Sequence, residues 1–151
     1  MPNLPMRVGM GATALCGGKY ATERDIQTAA KIFDATGVAV VTEESLMDAV
    51  TAVSGSGPAY VYFLAEIMME AGRKEGLPDE VARRLVIQTV RGAAEMMVKG
   101  EATPEELRAR VTSKGGTTEA ALRSMEASGV RQALLDAISA AAGRARELGH
   151  K

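Results

Sequence analysis

Ser54-Gly55-Ser56-Gly57-Pro58-Ala59-Tyr60-Val61-Tyr62-Phe63-Leu64-Ala65-Glu66-Ile67-Met68 is a turn followed by a helix, and the rest of the chain can be read outward from it. Proline is tolerated in the first turn of a helix, where no N–H is needed, so Pro58 marks a start. Beyond it Val61, Leu64, Ala65, Met68 and Gly72 share one apolar helical face. The glycine-serine turn in front is expected to break an earlier helical run from Glu43 to Val53.

Downstream, Gly76-Leu77-Pro78 ends the long helix and begins another, with Ala82, Val86, Ala93 and Met97 at helical spacing as far as Lys99. After Gly100, Thr103-Pro104-Glu105-Glu106 joins a capping box to a proline at the first helical position, which predicts a short helix to Val111. Helical patterns follow over Ala120 to Ala127, stopped by Gly129, and from Val130 to Leu148. From Glu43 onward every pattern is helical.

The stretch before Glu43 differs. Met1-Pro2-Asn3-Leu4-Pro5 places two prolines in an extended connector and reads like a cut end. Ala12 to Cys16 suits a strand, Thr22 caps a helix carrying Ile26, Ala29, Ala30 and Phe33 that Gly37 closes, and Val38 to Val41 is a second strand. Such a β-α-β unit is too small to close a sheet, so it should pack on the helices or be the remnant of a larger sheet. The expected fold is mostly α: residues 1–42 form the β-α-β unit and 43–151 an all-helical domain. Long helices with this much small-residue surface are hard to bury in one short chain, so an interleaved helical dimer is expected.

Composition narrows the function. With 46% hydrophobic and 25% charged residues and a net charge of -1, the chain has the balance of a globular protein and lacks the basic footprint of a nucleic-acid binder. Its few aromatics, Phe33, Phe63, Tyr20, Tyr60 and Tyr62, are not interleaved with a basic stripe. One cysteine, Cys16, and one histidine, His150, exclude an internal disulfide and leave no credible metal site. No run of about eighteen apolar residues occurs, so no membrane segment is expected and a cytoplasmic location is the default. The nine methionines, including Met68-Met69 and Met96-Met97, read as adaptable core filler.

The chemistry is expected at Thr112-Ser113-Lys114-Gly115-Gly116-Thr117-Thr118, where two glycines free the backbone and Glu119 starts a new helical run. Unpaired N–H groups at Gly116, Thr117 and Thr118, with the positive end of a helix dipole, suit a small anion such as a carboxylate, and Lys114 adds charge. The alternative, that Thr117 or Thr118 caps its own helix, stays open. Ser54 to Pro58 is a second glycine-serine turn entering a helix; it too can be a simple break. Glu101 could pair with an amine, although an exposed loop glutamate is the plainer reading. Gly9-Met10-Gly11-Ala12-Thr13-Ala14 matches the dinucleotide fingerprint in letters only, because it precedes a strand instead of following one.

Taken together, Met1-Pro2-Asn3, Asp48 through Tyr60, Gly76-Leu77-Pro78, Gln88-Thr89 with Gly92-Ala93-Ala94, and Val111 through Thr118 resemble the pyrroline-5-carboxylate reductase family. Arg131 and the run from Arg144 to Leu148 fit as well. The resemblance spans nearly the whole chain. It implies an NADPH- or NADH-dependent enzyme of the last step of proline biosynthesis, with a Rossmann-type domain ahead of Met1-Pro2-Asn3. The present chain would then be the trailing β-α-β of that domain plus the helical dimerisation and substrate domain, with little activity alone. A homodimer, sometimes stacked into a ring of dimers, is implied too. By resemblance Ser113, Gly115, Gly116, Thr117 and Thr118 hold the carboxylate of 1-pyrroline-5-carboxylate or proline. Thr118 stands by the ring nitrogen as the catalytic residue, and Glu101 faces the amine. Asn3, Ser56, Gly57 and Pro58 lie on the cofactor side, and no metal is implied. Lys114 replaces a common proline, Leu4 a threonine and Val130 a phenylalanine. A competing expectation is a non-catalytic helical dimerisation module that binds small carboxylates.

Overall fold

The computed structural model describes residues 1–149, so His150, the one histidine of the chain, and Lys151 lie outside the described residues. Its elements are β1 (Gly11–Leu15), α1 (Glu23–Asp34), β2 (Gly37–Val41), α2 (Met47–Val50), α3 (Gly57–Lys74), α4 (Asp79–Val98), α5 (Pro104–Arg110), α6 (Thr117–Ala127) and α7 (Val130–Gly149). The chain is mostly helical with one small parallel sheet, as expected. It divides into two compact units, Met1–Val61 with the chain from Leu134 onward, and Tyr62–Ala133.

In the first unit β1 and β2 run parallel with Gly11 opposite Gly37, joined through α1. Thr22 caps α1: its hydroxyl accepts the Asp25 N–H at 3.3 Å, while the Asp25 carboxylate accepts the Thr22 N–H at 2.9 Å and the Thr22 hydroxyl at 2.7 Å. These bonds hold the Asp25 carboxyl below its ordinary range. Gly37 has φ +150°, and a Cβ there would strike the Gly11 backbone, so the closeness of the strand starts depends on glycine. Val38, Val40 and Val41 stay exposed, leaving a two-stranded sheet with apolar surface to spare.

Three local expectations are corrected. Met1 to Pro5 is not extended throughout, because Leu4–Val8 forms a 3-10 helix closed by Gly9 at φ 73°. Pro5 sits in its first turn, where the missing N–H costs nothing. The run from Glu43 is not one helix ending at Val53. It is a 3-10 turn over Glu44–Leu46, then α2, then a π-turn over Thr51–Gly55 that carries the helical path up to α3. Ser56 donates to the Thr51 carbonyl at 2.8 Å, the longer reach of a π-turn, so the glycine-serine stretch widens the helix where a break was expected. Finally, α6 begins at Thr117, three residues ahead of the expected Ala120 to Ala127 run.

In the second unit α3 turns into α4 around Gly76, with Arg73 paired to Asp79 at 2.7 Å. Gly72 lets Leu77 and Ala82 pack close. The capping box at Thr103 is present: its hydroxyl accepts the Glu106 N–H at 3.3 Å, and Glu106 accepts the Thr103 N–H at 2.8 Å. Among the described residues the only buried apolar side chains of this unit are Ala82 and Val86, while Phe63, Leu64, Ile67, Leu85 and Ile87 stay exposed. Helices with so little buried face draw little stability from one chain.

Candidate functional site

Val111 ends the short helix α5, and the chain then turns through Ser113 to Gly116 into α6. Gly115 is left-handed at φ +74°, which an L side chain adopts only with strain. Gly116 is the N-cap of α6 in extended conformation, and a Cβ on it would run into the Ser113 side chain and carbonyl. Both glycines are therefore required by the turn, for different reasons: one by its torsion, the other by its crowding.

The N–H groups divide into engaged and free. Gly116 donates to the Ser113 carbonyl at 3.0 Å, and Gly115 to the Glu119 carboxylate at 2.8 Å. The first helical bond runs from Ala120 to the Gly116 carbonyl at 3.2 Å, so the N–H groups of Thr117, Thr118 and Glu119 meet no protein acceptor among the described residues. Neither threonine hydroxyl caps α6, whose N-cap makes no side-chain bond. The self-capping reading is thus not what the turn does. Thr118 is half-buried; Thr117, Ser113 and Lys114 are exposed. Free donors at the positive end of an eleven-residue helix, those of Thr117 and Thr118 among them, can hold a carboxylate or phosphate oxygen.

Glu119 was not foreseen here. It sits at the third position of α6, paired with Arg123 at 3.7 Å and reaching back to Gly115. That position belongs to the capping-box pattern, so spacing from the Gly116 N-cap could have found it.

Asn3, Ser56, Gly57 and Pro58 belong to the first unit. The Asn3 side chain accepts the Ala12 N–H at 2.9 Å and donates to the Ser54 carbonyl at 3.2 Å. The Tyr60 hydroxyl donates to the Ala52 carbonyl at 3.0 Å. Gly57 has open space where a Cβ would be, so a flat ring can approach its Cα. Glu101 lies between α4 and α5, exposed, and among the described residues no hydrogen bond or ion pair joins it to the Ser113–Thr118 turn.

The fingerprint-like glycines do other work: Gly9 closes the 3-10 helix and Gly11 opens β1, a helix-to-strand order with no cradle. An apolar cavity of about 450 Å³ lies between the sheet and the Leu46–Ser54 segment, lined by Ala12, Ala14, Val40, Leu46, Val50 and Val53, with no charged group to hold an anion. Among the described residues no group of three or more His, Cys, Asp or Glu could hold a metal, and no helix is long and apolar enough to cross a membrane.

Comparison with known proteins gives a consistent result. Residues 44–148 match the family model for pyrroline-5-carboxylate reductase dimerisation. The chain is 44% identical over 151 residues to the pyrroline-5-carboxylate reductase of Synechocystis sp., covering 100% of this chain and 57% of that protein. It is 44% identical over 149 residues to the Pseudomonas aeruginosa reductase, covering 98% and 55%. The crystal structure of Plasmodium falciparum pyrroline carboxylate reductase with NADP bound superposes with a TM-score of 0.92 at 36% identity, over 99% of this chain and 61% of that one. The chain thus spans little more than half the length of the curated relatives it matches.

Proposed function

The chain belongs to the pyrroline-5-carboxylate reductase family, and from that premise we propose that it is the dimerisation and substrate half of an enzyme reducing 1-pyrroline-5-carboxylate to proline. Residues 1–42 would be the last part of the nucleotide-binding domain and 43–151 the dimerisation domain. The observation that carries the reading is the pair of unpartnered N–H groups of Thr117 and Thr118 at the start of α6, beside threonine hydroxyls that cap nothing.

The substrate is a five-membered cyclic imine bearing a carboxylate. That carboxylate binds the Thr117 and Thr118 N–H groups and the helix dipole, with Lys114 adding a cation nearby. Ser113, Gly115 and Gly116 shape the turn and line it. The Thr118 hydroxyl hydrogen-bonds the ring nitrogen and Glu101 faces the developing amine. An unperturbed threonine is a poor acid, so Thr118 orients the imine, and the proton reaches nitrogen from solvent. Bound NADPH or NADH would supply a hydride for the imine carbon. Its nicotinamide would lie against the open surface at Gly57, with Ser56, Pro58 and Asn3 on the cofactor side. Its pyrophosphate has no cradle among the described residues, so a second segment must hold it and the present chain alone should turn over little substrate.

Homodimerisation completes the reading, supported by the exposed Phe63, Leu64, Ile67, Leu85 and Ile87, and stacking of dimers into a ring would extend it. A cytoplasmic location suits such an enzyme. The test has two parts. Titrating proline, or its ring-oxygen analogue tetrahydrofuran-2-carboxylate, into the chain should shift the Thr117 and Thr118 amide resonances. In a reductase of the relatives' full length carrying this chain, Thr118→Ala should lower kcat by about ten- to a hundred-fold. Unmoved amides would remove the carboxylate site. Saturable binding with no turnover in the full-length protein would instead favour a carboxylate-binding dimerisation module.

A further inference from the structure

The π-turn over Thr51–Gly55 leaves two carbonyls without the helical partner they would otherwise have. Because Ser56 donates to Thr51, five residues back, the carbonyl of Ala52 is skipped. The carbonyl of Ser54 would look to residue 58, which is proline and has no N–H. Both gaps are filled by side chains. Tyr60 donates its hydroxyl to Ala52 at 3.0 Å, and Asn3 its amide to Ser54 at 3.2 Å. Ala52 is almost completely buried, so no solvent replaces the tyrosine.

Asn3 does more than fill a gap. Its amide oxygen accepts the Ala12 N–H at the head of β1, fifty-one residues of separation being bridged by the other end of the same side chain. Turning the amide over would set oxygen against the Ser54 carbonyl and NH2 against the Ala12 N–H, so the bridge has one orientation. No other side chain of this length offers one donor and one acceptor in that arrangement. π-turns are kept where their altered register serves a purpose, and this one delivers the chain into Ser56-Gly57-Pro58.

We propose that Asn3 and Tyr60 are positioning residues that clamp the π-turn between β1 and α3 and thereby fix the Ser56-Gly57-Pro58 shoulder against which the nicotinamide would lie. The proposal rests on the cofactor-side reading of those three residues. Asn3 then acts through the turn, with its oxygen and one amide hydrogen already committed.

Three variants separate the parts. Asn3→Asp keeps the acceptor for Ala12 but sets a carboxylate oxygen against the Ser54 carbonyl, Asn3→Leu removes both bonds, and Tyr60→Phe deletes only the hydroxyl. Backbone amide exchange of the 151-residue chain reads the clamp. Ser56 should exchange about three- to ten-fold faster in all three variants, while Ala12 stays protected in Asn3→Asp and Tyr60→Phe and loses protection in Asn3→Leu. Unchanged Ser56 exchange in Asn3→Asp and Tyr60→Phe would overturn the clamp. In a full-length reductase carrying this chain, KM for NADPH should rise about three- to ten-fold in Asn3→Asp and Tyr60→Phe while KM for pyrroline-5-carboxylate moves less than about two-fold. Faster exchange with an unmoved KM for NADPH would overturn the positioning role. A wild-type protein without turnover would bring down the reductase reading and the positioning role with it, leaving the clamp to be judged by exchange alone.

Discussion

Gly115 offers a clean test of whether the turn before α6 matters to the substrate. Its φ of +74° is left-handed and a Cβ on it would meet nothing within 4 Å, so a substitution there is opposed by torsion alone. Alanine in that region is disfavoured by about 1–2 kcal/mol. Asparagine, which tolerates the left-handed region, should cost less, and valine, branched at Cβ, more. Opposing any relaxation of the torsion is the bond from the Gly115 N–H to the Glu119 carboxylate at 2.8 Å, a charge-assisted bond on an exposed turn. A bond of that kind contributes on the order of 1–2 kcal/mol, comparable to the strain, so the alanine variant should divide between the native turn and a relaxed one. The native turn leaves the Thr117 and Thr118 N–H groups without a protein acceptor, and a relaxed Gly115 is expected to disturb that arrangement. Denaturant unfolding at one fixed protein concentration, with KM for pyrroline-5-carboxylate in a full-length reductase carrying this chain, reads both effects. Gly115→Ala should lose about 1–2 kcal/mol in stability, or raise KM by about five- to thirty-fold, or share the same free energy between the two. The order Asn, Ala, Val should hold for the combined loss. If alanine costs neither stability nor KM, or valine costs no more than asparagine, the left-handed turn is not what holds the donors.

Other expectations follow from the same geometry. Glu119→Gln keeps an acceptor for Gly115 while removing an anion beside the proposed carboxylate site, and should lower the substrate KM by a few-fold; a raised KM would show that the charge assists binding. Gly37→Ala would drive a methyl group into the Gly11 backbone and should cost roughly 3 kcal/mol or more, seen as loss of β1–β2 amide protection, whereas a native-like exchange pattern would refute the close approach. The Asp25 carboxyl is held below its ordinary value by its bonds to Thr22, so its contribution to α1 is complete above about pH 4 and is lost as pH falls through its folded-state value. An NMR titration of the Thr22 amide should therefore give a midpoint below 3.8, and a midpoint at or above it would contradict the capping box. Leu64→Asp with Leu85→Asp should convert a dimer to monomer in sedimentation equilibrium; a wild-type chain already monomeric at micromolar concentration would contradict helix interleaving.

The sequence by itself determined whatever depends on partners three to five residues apart. The capping boxes at Thr22 and Thr103, the helices after Pro58 and Pro78, the strands on either side of α1 and the glycine turn before α6 are all legible, because spacing alone brings those groups together. The free donors of Thr117 and Thr118 were likewise announced by two glycines ahead of a helix, although which N–H groups remained free was not: Gly115 and Gly116 are engaged by Glu119 and Ser113. Only the tertiary structure decided the route from Thr51 to Pro58. Local pattern reads glycine, serine and proline as a break, but a break leaves carbonyls that solvent must satisfy, while a π-turn persists once other side chains reach them. Asn3 comes from fifty-one residues away to do so, and where its amide lands depends on the path of the whole β-α-β unit, which no local spacing encodes.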